Sequence, residues 1–435
     1  MRRAATAFVV TLAAWVPANA QRLVLPRTAL ADSAFAFRAT GLTAGARATL
    51  RASMRDSLGR MWSAAVHLTA MPDGSIDTAR DMPLAGSDYV AVDAMGVVTA
   101  LDLAGDARGR ERFIAPRLDS LPLLVTLSEG DRIIDTATVL RTFVGTGVTM
   151  RAVDSAGIVG TLYLPARRDA RPALIVLGGS EGGVGGRDVA ALLASHGYVA
   201  LALGYFGAPG LPAELESIPL DHFASAIELL ARQRGVDARR VGVFGTSKGA
   251  EAALLLASLD SRVRAVVAYA PSAVSWSCIC AKGDAPSWTW GGAPVPYVPP
   301  ARDPAYAPGA GEPMRPAFNY RYRVRDAAVV ERARIPVDRV GAPVLLISGG
   351  DDAMWPSQWS GEQVVAHGVV LDGRSSVRHL VYPDAGHLIG KAYMPVGSTR
   401  VAGGRIETGG TRQGNAAAQA DAWPKVLAFL GTALR

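Results

Sequence analysis

Ser247 lies in the pentapeptide Gly245-Thr246-Ser247-Lys248-Gly249, between an apolar run, Val241 to Phe244, and a stretch of good helix formers, Ala250 to Ser258. A serine lifted on a sharp turn between a strand and a helix is set for attack on a carbonyl carbon. Small residues two before and two after it let the backbone pass through the turn without clashes. The helix N-terminus then offers backbone N–H groups to the oxyanion that such an attack creates.

A serine nucleophile needs a base, and the base needs a carboxylate to orient it. In this arrangement the chain order is serine, acid, histidine. Asp351 and Asp352 follow an apolar strand ending in Ser348-Gly349-Gly350, so they fall at a strand's C-terminal edge. Asp352 is the candidate acid and Asp351 the close alternative. His387 follows in Tyr382-Pro383-Asp384-Ala385-Gly386-His387, a short loop after the last strand. Its neutral imidazole can take the serine proton and return it to a leaving group. The other five histidines fall inside strands (His67, His379), inside a helix (His222) or at helix ends (His196, His367), and are read as structural.

The oxyanion requires two donors. The Lys248 N–H is one, and the glycine-rich loop Gly178-Gly179-Ser180-Glu181-Gly182-Gly183 offers the Ser180 or Glu181 N–H as the other. That loop lacks the G-K-S/T ending of a phosphate-binding loop and the acid of a dinucleotide fingerprint. The Lys248 side chain is read as a solvent-facing helix residue.

These residues need a scaffold. After Gly145-Thr146-Gly147 a hairpin, Val148 to Val153 and Ile158 to Leu164, leads into apolar runs at Ala173–Leu177, Tyr198–Leu203, Val241–Phe244, Ala265–Tyr269, Val344–Ile347 and His379–Tyr382. Helical patterns fall at 187–196, 220–233, 251–258, 358–367 and 415–434. Continuous apolar strands alternating with helices predict a mostly parallel sheet covered on both faces. Before it, 21–145 reads as an Ig-like β-sandwich, with period-two strands at Ala46–Ala52 and Trp62–Ala70, an apolar strand at Leu123–Leu127, and turn signals between them. The fold expected is therefore α/β: a β-sandwich at 21–145 followed by a catalytic domain at 146–435.

An insertion at about 272–335 breaks the alternation and is rich in proline, glycine and aromatics. A loop that long inside a domain is usually functional or disordered. It is read as a cap, with Trp288 and Trp290 as candidate substrate-binding side chains. The two cysteines, Cys278 and Cys280, are separated by one residue, and a ring that small is strained. They are read as free or loosely paired thiols without enough neighbouring ligands for a metal.

The chain has 435 residues, 49% hydrophobic and 19% charged, which excludes a disordered protein. Its net charge of +7 comes from scattered arginines without aromatic interleaving, which argues against a nucleic-acid partner. Met1-Arg2-Arg3, the apolar Ala4 to Val16 and Ala18-Asn19-Ala20 have the order of an export signal over 1–20, with cleavage before Gln21 and a periplasmic or extracellular destination. No later apolar run is long enough for a membrane span.

Taken together these stretches resemble the acyl-CoA thioesterase and bile acid-CoA:amino acid N-acyltransferase family. The similar segments are Ala29 to Asp32, Asp56 to Gly59 with Trp62, Asp88 to Gly96, Ile218 to Leu220, Gly245 to Glu251, Ile335 to Val337, Gly349 to Trp355, Tyr382 to His387 and Gln419 to Trp423. The resemblance implies a β-sandwich joined to an α/β-hydrolase domain, with nucleophile, acid and base on Ser247, Asp352 and His387. Members with a cysteine nucleophile transfer acyl groups to amino acids, so serine favours hydrolysis. The activity expected is hydrolysis of a small acyl thioester, or of a carboxylic ester if the protein is exported, with no cofactor. An acyltransferase or peptidase of the same fold, or a non-catalytic exported binding protein, are the alternatives.

Overall fold

Side chains alternate between buried and more exposed along Arg47–Arg55 and, except at the buried Ala65, along Met61–Thr69, as period-two strands with one covered face must. With Leu121–Glu129, Arg132–Thr142 and Thr28–Leu30 they form a five-stranded sheet. A second sheet of three short strands, Arg22–Val24, Arg38–Thr40 and Ile76–Asp77, shares its core, which includes Phe37, Ala39, Leu50, Trp62 and Val125. The strand Arg132–Thr142 has no sequence signal in its first half, where both faces are largely exposed. That half is held instead by pairing to Leu121–Glu129, while Thr28–Leu30 pairs with Leu140–Thr142 on the other edge of its second half. The computed structural model describes residues 22–435 except 156, 168, 369, 372 and 373. The expected export segment, Met1 to Ala20, lies outside the described residues.

The last sandwich strand ends at Thr142 and the large sheet begins at Thr149. That sheet has eight strands: β1 (Thr149–Ser155), β2 (Ile158–Leu164), β3 (Arg171–Leu177), β4 (Val199–Gly204), β5 (Val236–Thr246), β6 (Val263–Tyr269), β7 (Val344–Gly349) and β8 (Val377–Tyr382). Their spatial order is 1-2-4-3-5-6-7-8. Strands β1 and β2 pair antiparallel, β2 meets β4 antiparallel, and every pairing from β4 to β8 is parallel. This is the α/β-hydrolase architecture. Helices α1 (Arg187–Ser195) and α5 (Arg412–Ala433) cover one face, with Val176, Phe244 and Val267. Helices α2 (Leu220–Ala231), α3 (Lys248–Leu259) and α4 (Ser357–His367) cover the other, with Ile175, Val243 and Val266. Alternate residues of each strand feed opposite cores, which is why the strands read as unbroken apolar runs.

The sandwich docks on the catalytic domain through a buried polar junction. Asp32 accepts hydrogen bonds from the Trp423 indole at 2.7 Å and is paired with His196 Nε2 at 2.6 Å. His196 thus ends α1 and also joins the two domains. Arg141, fully buried, donates to the Ala31 carbonyl and, at 2.8 Å, to that of Tyr393. Burial pulls the Arg141 guanidinium down to about 10. The segment after His387 is therefore braced by the sandwich: Gly397 lies against Trp62, and Ser398 donates to the Gly109 carbonyl.

The insertion is an ordered subdomain rather than a loop. Trp288–Trp290 extends Ile218–Pro219 as a parallel strand, and two short helices, Ala317–Arg323 and Ala327–Ala333, follow. It has its own core of Val274, Trp276, Val298 and Ala333, closed by Trp355. Cys278 and Cys280 form a disulfide, where free or loosely paired thiols were expected. Their Cα atoms lie 5.4 Å apart, closer than an extended chain would hold residues two apart and a separation that a disulfide spans. Among the described residues no helix is long and apolar enough to cross a membrane.

Candidate active site

Strand β5 ends at Thr246, and Ser247 takes φ 56°, ψ −120° before α3 begins at Lys248. A non-glycine residue in that region is strained by about 1–3 kcal/mol, and it is held there by its surroundings. Its N–H donates to the Tyr269 carbonyl at 2.9 Å. The flanking glycines are required by close approach. A Cβ on Gly245 would lie 2.1 Å from the Gly249 carbonyl oxygen, and one on Gly249 would lie 2.2 Å from that of Gly178.

Asp352 sits three residues past Gly349, the end of β7, and is buried. Its Oδ1 accepts from the Met354 and Trp355 N–H groups at 2.9 and 3.2 Å, which fixes the carboxylate. His387 Nδ1 lies 2.9 Å from Asp352 Oδ2 and 3.1 Å from Oδ1. On the other side of the ring, His387 Nε2 lies 2.9 Å from Ser247 Oγ. The structure thus brings Ser247, His387 and Asp352 into one chain of hydrogen bonds across 140 and 35 residues of sequence. Asp351 faces outward and pairs with Arg315 at 2.7 Å, and its Oδ2 accepts from the Gly410 N–H. With Nδ1–H directed at the carboxylate, Nε2 is free to accept the serine proton.

The histidine loop is fixed from both sides. The His387 N–H donates to the Thr408 carbonyl at 2.8 Å, and the Gly386 N–H donates to Asn415 Oδ1 at 2.8 Å. Trp355 stands edge-on to the imidazole, with ring centroids 5.7 Å apart, and anchors its indole N–H on the Ala270 carbonyl. A cavity of about 220 Å³ lies behind the acid loop, with Arg321, Gly349, Trp355, Trp359 and Glu362 on its wall.

As the first residue of α3, Lys248 has an N–H with no intrahelical acceptor. The loop after β3 passes Ser247 at Gly179, where an added Cβ would lie 3.3 Å from Ser247 Cβ. Ser180 and Glu181 follow on the exposed side. The Glu181 carboxylate folds back over the loop, within 2.4 Å of where a Gly178 Cβ would stand. Tyr205 holds this loop from beneath: its hydroxyl, shared between two acceptors, lies 2.9 Å from the Gly178 carbonyl oxygen and 2.6 Å from that of Gly179. Burial, with Glu181 and Glu251 nearby, raises the Tyr205 hydroxyl well above its ordinary value, so it stays a donor.

Two sequence expectations are corrected. The Lys248 side chain is not solvent-facing. It is buried, with Nζ 3.0 Å from Glu251 Oε2 and 2.8 Å from Ser287 Oγ. Burial pulls the Lys248 ammonium below its usual value, and the Glu251 carboxylate opposes that. Trp288 is not an open pocket wall. It is fully buried against Tyr205 and Phe223, and its indole N–H donates to Glu251 Oε1 at 2.7 Å. Trp290 is half-buried against the same core. Glu251, Tyr205 and Asn415 carry structural weight at the site that the sequence reading missed. For Lys248 and Glu251 a signal existed. Residues 252–257 are all apolar, so the helix is buried on every side and its charges must pair.

Comparison with known proteins agrees with this architecture. Residues 32–155 match the family model described as acyl-CoA thioester hydrolase/BAAT N-terminal region. Residues 218–435 match the one described as BAAT/acyl-CoA thioester hydrolase C terminal. The chain is 28% identical over 429 residues to acyl-coenzyme A amino acid N-acyltransferase 2 of Mus musculus, covering 94% of this chain and 96% of the relative. It is 27% identical over 409 residues to acyl-coenzyme A thioesterase 1 of Rattus norvegicus, covering 92% and 93%. With the bile acid-CoA:amino acid N-acyltransferase of Mus musculus it shares 28% over 423 residues, covering 94% and 97%.

Proposed function

The chain belongs to the acyl-CoA thioester hydrolase/BAAT family, and from that premise we infer a serine hydrolase that cleaves acyl thioesters or carboxylic esters through an acyl-enzyme. The observation that carries this reading is the imidazole of His387 held between Ser247 Oγ and the Asp352 carboxylate. Ser247 Oγ attacks the acyl carbonyl carbon as His387 Nε2 takes its proton. The Lys248 N–H, with the Ser180 or Glu181 N–H, donates to the oxyanion. Collapse of the adduct expels the thiolate or alkoxide, which takes the proton back from the imidazolium. Water, deprotonated by the same imidazole, then releases the carboxylic acid and frees Ser247. Asp352 holds the tautomer and stabilises the imidazolium without being protonated itself. These steps need no metal or organic cofactor and no nucleic-acid partner.

Relatives named as N-acyltransferases make transfer to an amino acid the competing outcome. The test is a panel of acyl-CoA thioesters and p-nitrophenyl esters of graded chain length, with and without glycine or taurine. Release of free acid at a rate unaffected by the amine supports hydrolysis, and N-acyl amino acid as the main product would overturn it. Export belongs to the same proposal and rests on the order of Met1 to Ala20. The exported protein should begin at Gln21, whereas intact Met1 on cytoplasmic protein would refute export and favour CoA thioesters as substrate.

A further inference from the structure

The buried charges beside the nucleophile have no place in the steps above. Lys248 and Glu251 lie one turn apart on α3, with side chains 1% and 0% exposed. Burying an ion pair this completely costs several kcal/mol per ion unless every remaining donor and acceptor is satisfied. Here the satisfying groups come from the insertion. Lys248 Nζ reaches Ser287 Oγ at 2.8 Å and the Trp276 and Ser277 carbonyls at 3.4 and 3.5 Å, and lies 5.7 Å from the centre of the Trp288 ring. Glu251 Oε1 accepts from the Trp288 indole at 2.7 Å, the Trp276 N–H at 3.0 Å and Ser275 Oγ at 3.3 Å.

The backbone of Lys248 carries the N–H that faces the oxyanion, and its side chain is the point at which the insertion grips the nucleophile helix. We propose that the Lys248–Glu251 pair is a positioning device, by which the seated insertion holds the Lys248 peptide in the orientation that receives the transition-state oxyanion. This rests on the reading of Ser247 as nucleophile. Both residues act through the peptide they orient, not by touching substrate. A pair that served stability alone could lie anywhere on α3. This one begins at the residue after Ser247, and each partner is bound to Trp276 or its neighbours Ser275 and Ser277. A donor misaligned by a fraction of an ångström loses transition-state stabilisation while ground-state binding stays the same.

The experiment uses the full chain and three readouts: fluorophosphonate labelling mapped to a peptide, kcat and KM on one p-nitrophenyl ester, and affinity for an alkylboronic acid. The boronic acid forms a tetrahedral adduct with the serine and reports the oxyanion site directly. For Glu251→Gln, kcat should fall ~10–100-fold with KM little changed, and boronate affinity should fall in proportion to kcat/KM. Label should still reach Ser247, more slowly. Ser287→Ala removes one neutral partner of Lys248 and should shift kcat and boronate affinity together, by a smaller factor. Both variants melting earlier, with wild-type kcat and boronate affinity well below the melting point, would overturn the proposal. If Glu251→Gln does not fold, unchanged boronate affinity in Ser287→Ala overturns it alone. No label on Ser247 of the wild type overturns the nucleophile itself, and the positioning role with it.

Discussion

Gly249→Ala isolates the geometry on which the site depends. The added Cβ would stand 2.2 Å from the Gly178 carbonyl oxygen and 2.6 Å from that of Leu177. Both are backbone atoms at the end of β3, so no side chain can swing aside. Reaching even 3.0 Å needs 3.0 less 2.2, about 0.8 Å, of separation between the start of α3 and the loop after β3. Those two segments carry Ser247, the Lys248 N–H and the loop proposed to bear the second oxyanion donor. A shift near 1 Å in a reacting group costs on the order of 10²-fold in rate. Strain of this kind costs roughly 1–3 kcal/mol of stability, or a fall in Tm of roughly 1–3 °C for a chain of this size. The control is Gly341→Ala, where nothing lies within 4 Å of the new Cβ and φ is ordinary. It should leave kcat/KM unchanged and stability equal or higher by about 0.4–1 kcal/mol, through the unfolded state. Steady-state kinetics on one ester and thermal unfolding by circular dichroism measure both. A Gly249→Ala protein with wild-type Tm and kcat/KM within about threefold would refute the close approach, since overpacked backbone contacts are not relieved freely.

Asp352→Asn should fold normally and lose ~10⁴-fold in kcat, because the amide favours the wrong tautomer of His387. Asp351→Asn, which weakens a half-exposed pair with Arg315 and disturbs the hydrogen bond from the Gly410 N–H, should lose about threefold or less; equal losses in the two variants would contradict the assignment. Trp288→Ala should destabilise by about 3–5 kcal/mol in urea unfolding, as for other buried large-to-small changes, and should not act as a selective change of chain-length preference. His379 is held below its ordinary pKa by burial. A depressed histidine stays neutral in the folded chain while the unfolded chain binds a proton, so stability is full above the ordinary value of 6.5 and falls as pH drops below it. The unfolding free energy of His379→Gln should therefore slope less steeply between pH 7 and 5.5 than wild type, and an unchanged slope would count against this account.

The parallel sheet and its helices were legible because strands buried on both faces read as apolar runs, and each boundary carried a glycine, proline or charge. The elbow was legible for the same reason: Gly245 and Gly249 mark where backbone meets backbone. The strand Arg132–Thr142 was not, since half of it covers no core and its place is decided by pairing, to its hairpin neighbour Leu121–Glu129 and, at its end, to the distant Thr28–Leu30. Trp288 misled because an aromatic side chain in a long insertion looks the same whether it lines a pocket or fills a core. Only the fold brings Tyr205 and Phe223 against it. The domain junction at Asp32, His196 and Trp423 joins residues 164 and 391 positions apart, and no local pattern announces it.

The most direct test of the central claim is to mix the wild type and His387→Ala with a p-nitrophenyl ester or an acyl-CoA, quench within milliseconds, and weigh the intact protein and its peptides. The account predicts a single acyl adduct on the peptide carrying Ser247 in the wild type. It also predicts a much slower adduct in His387→Ala and none in Ser247→Ala. Turnover without an adduct, an adduct on another residue, or a folded Ser247→Ala protein keeping a tenth of wild-type activity would contradict it.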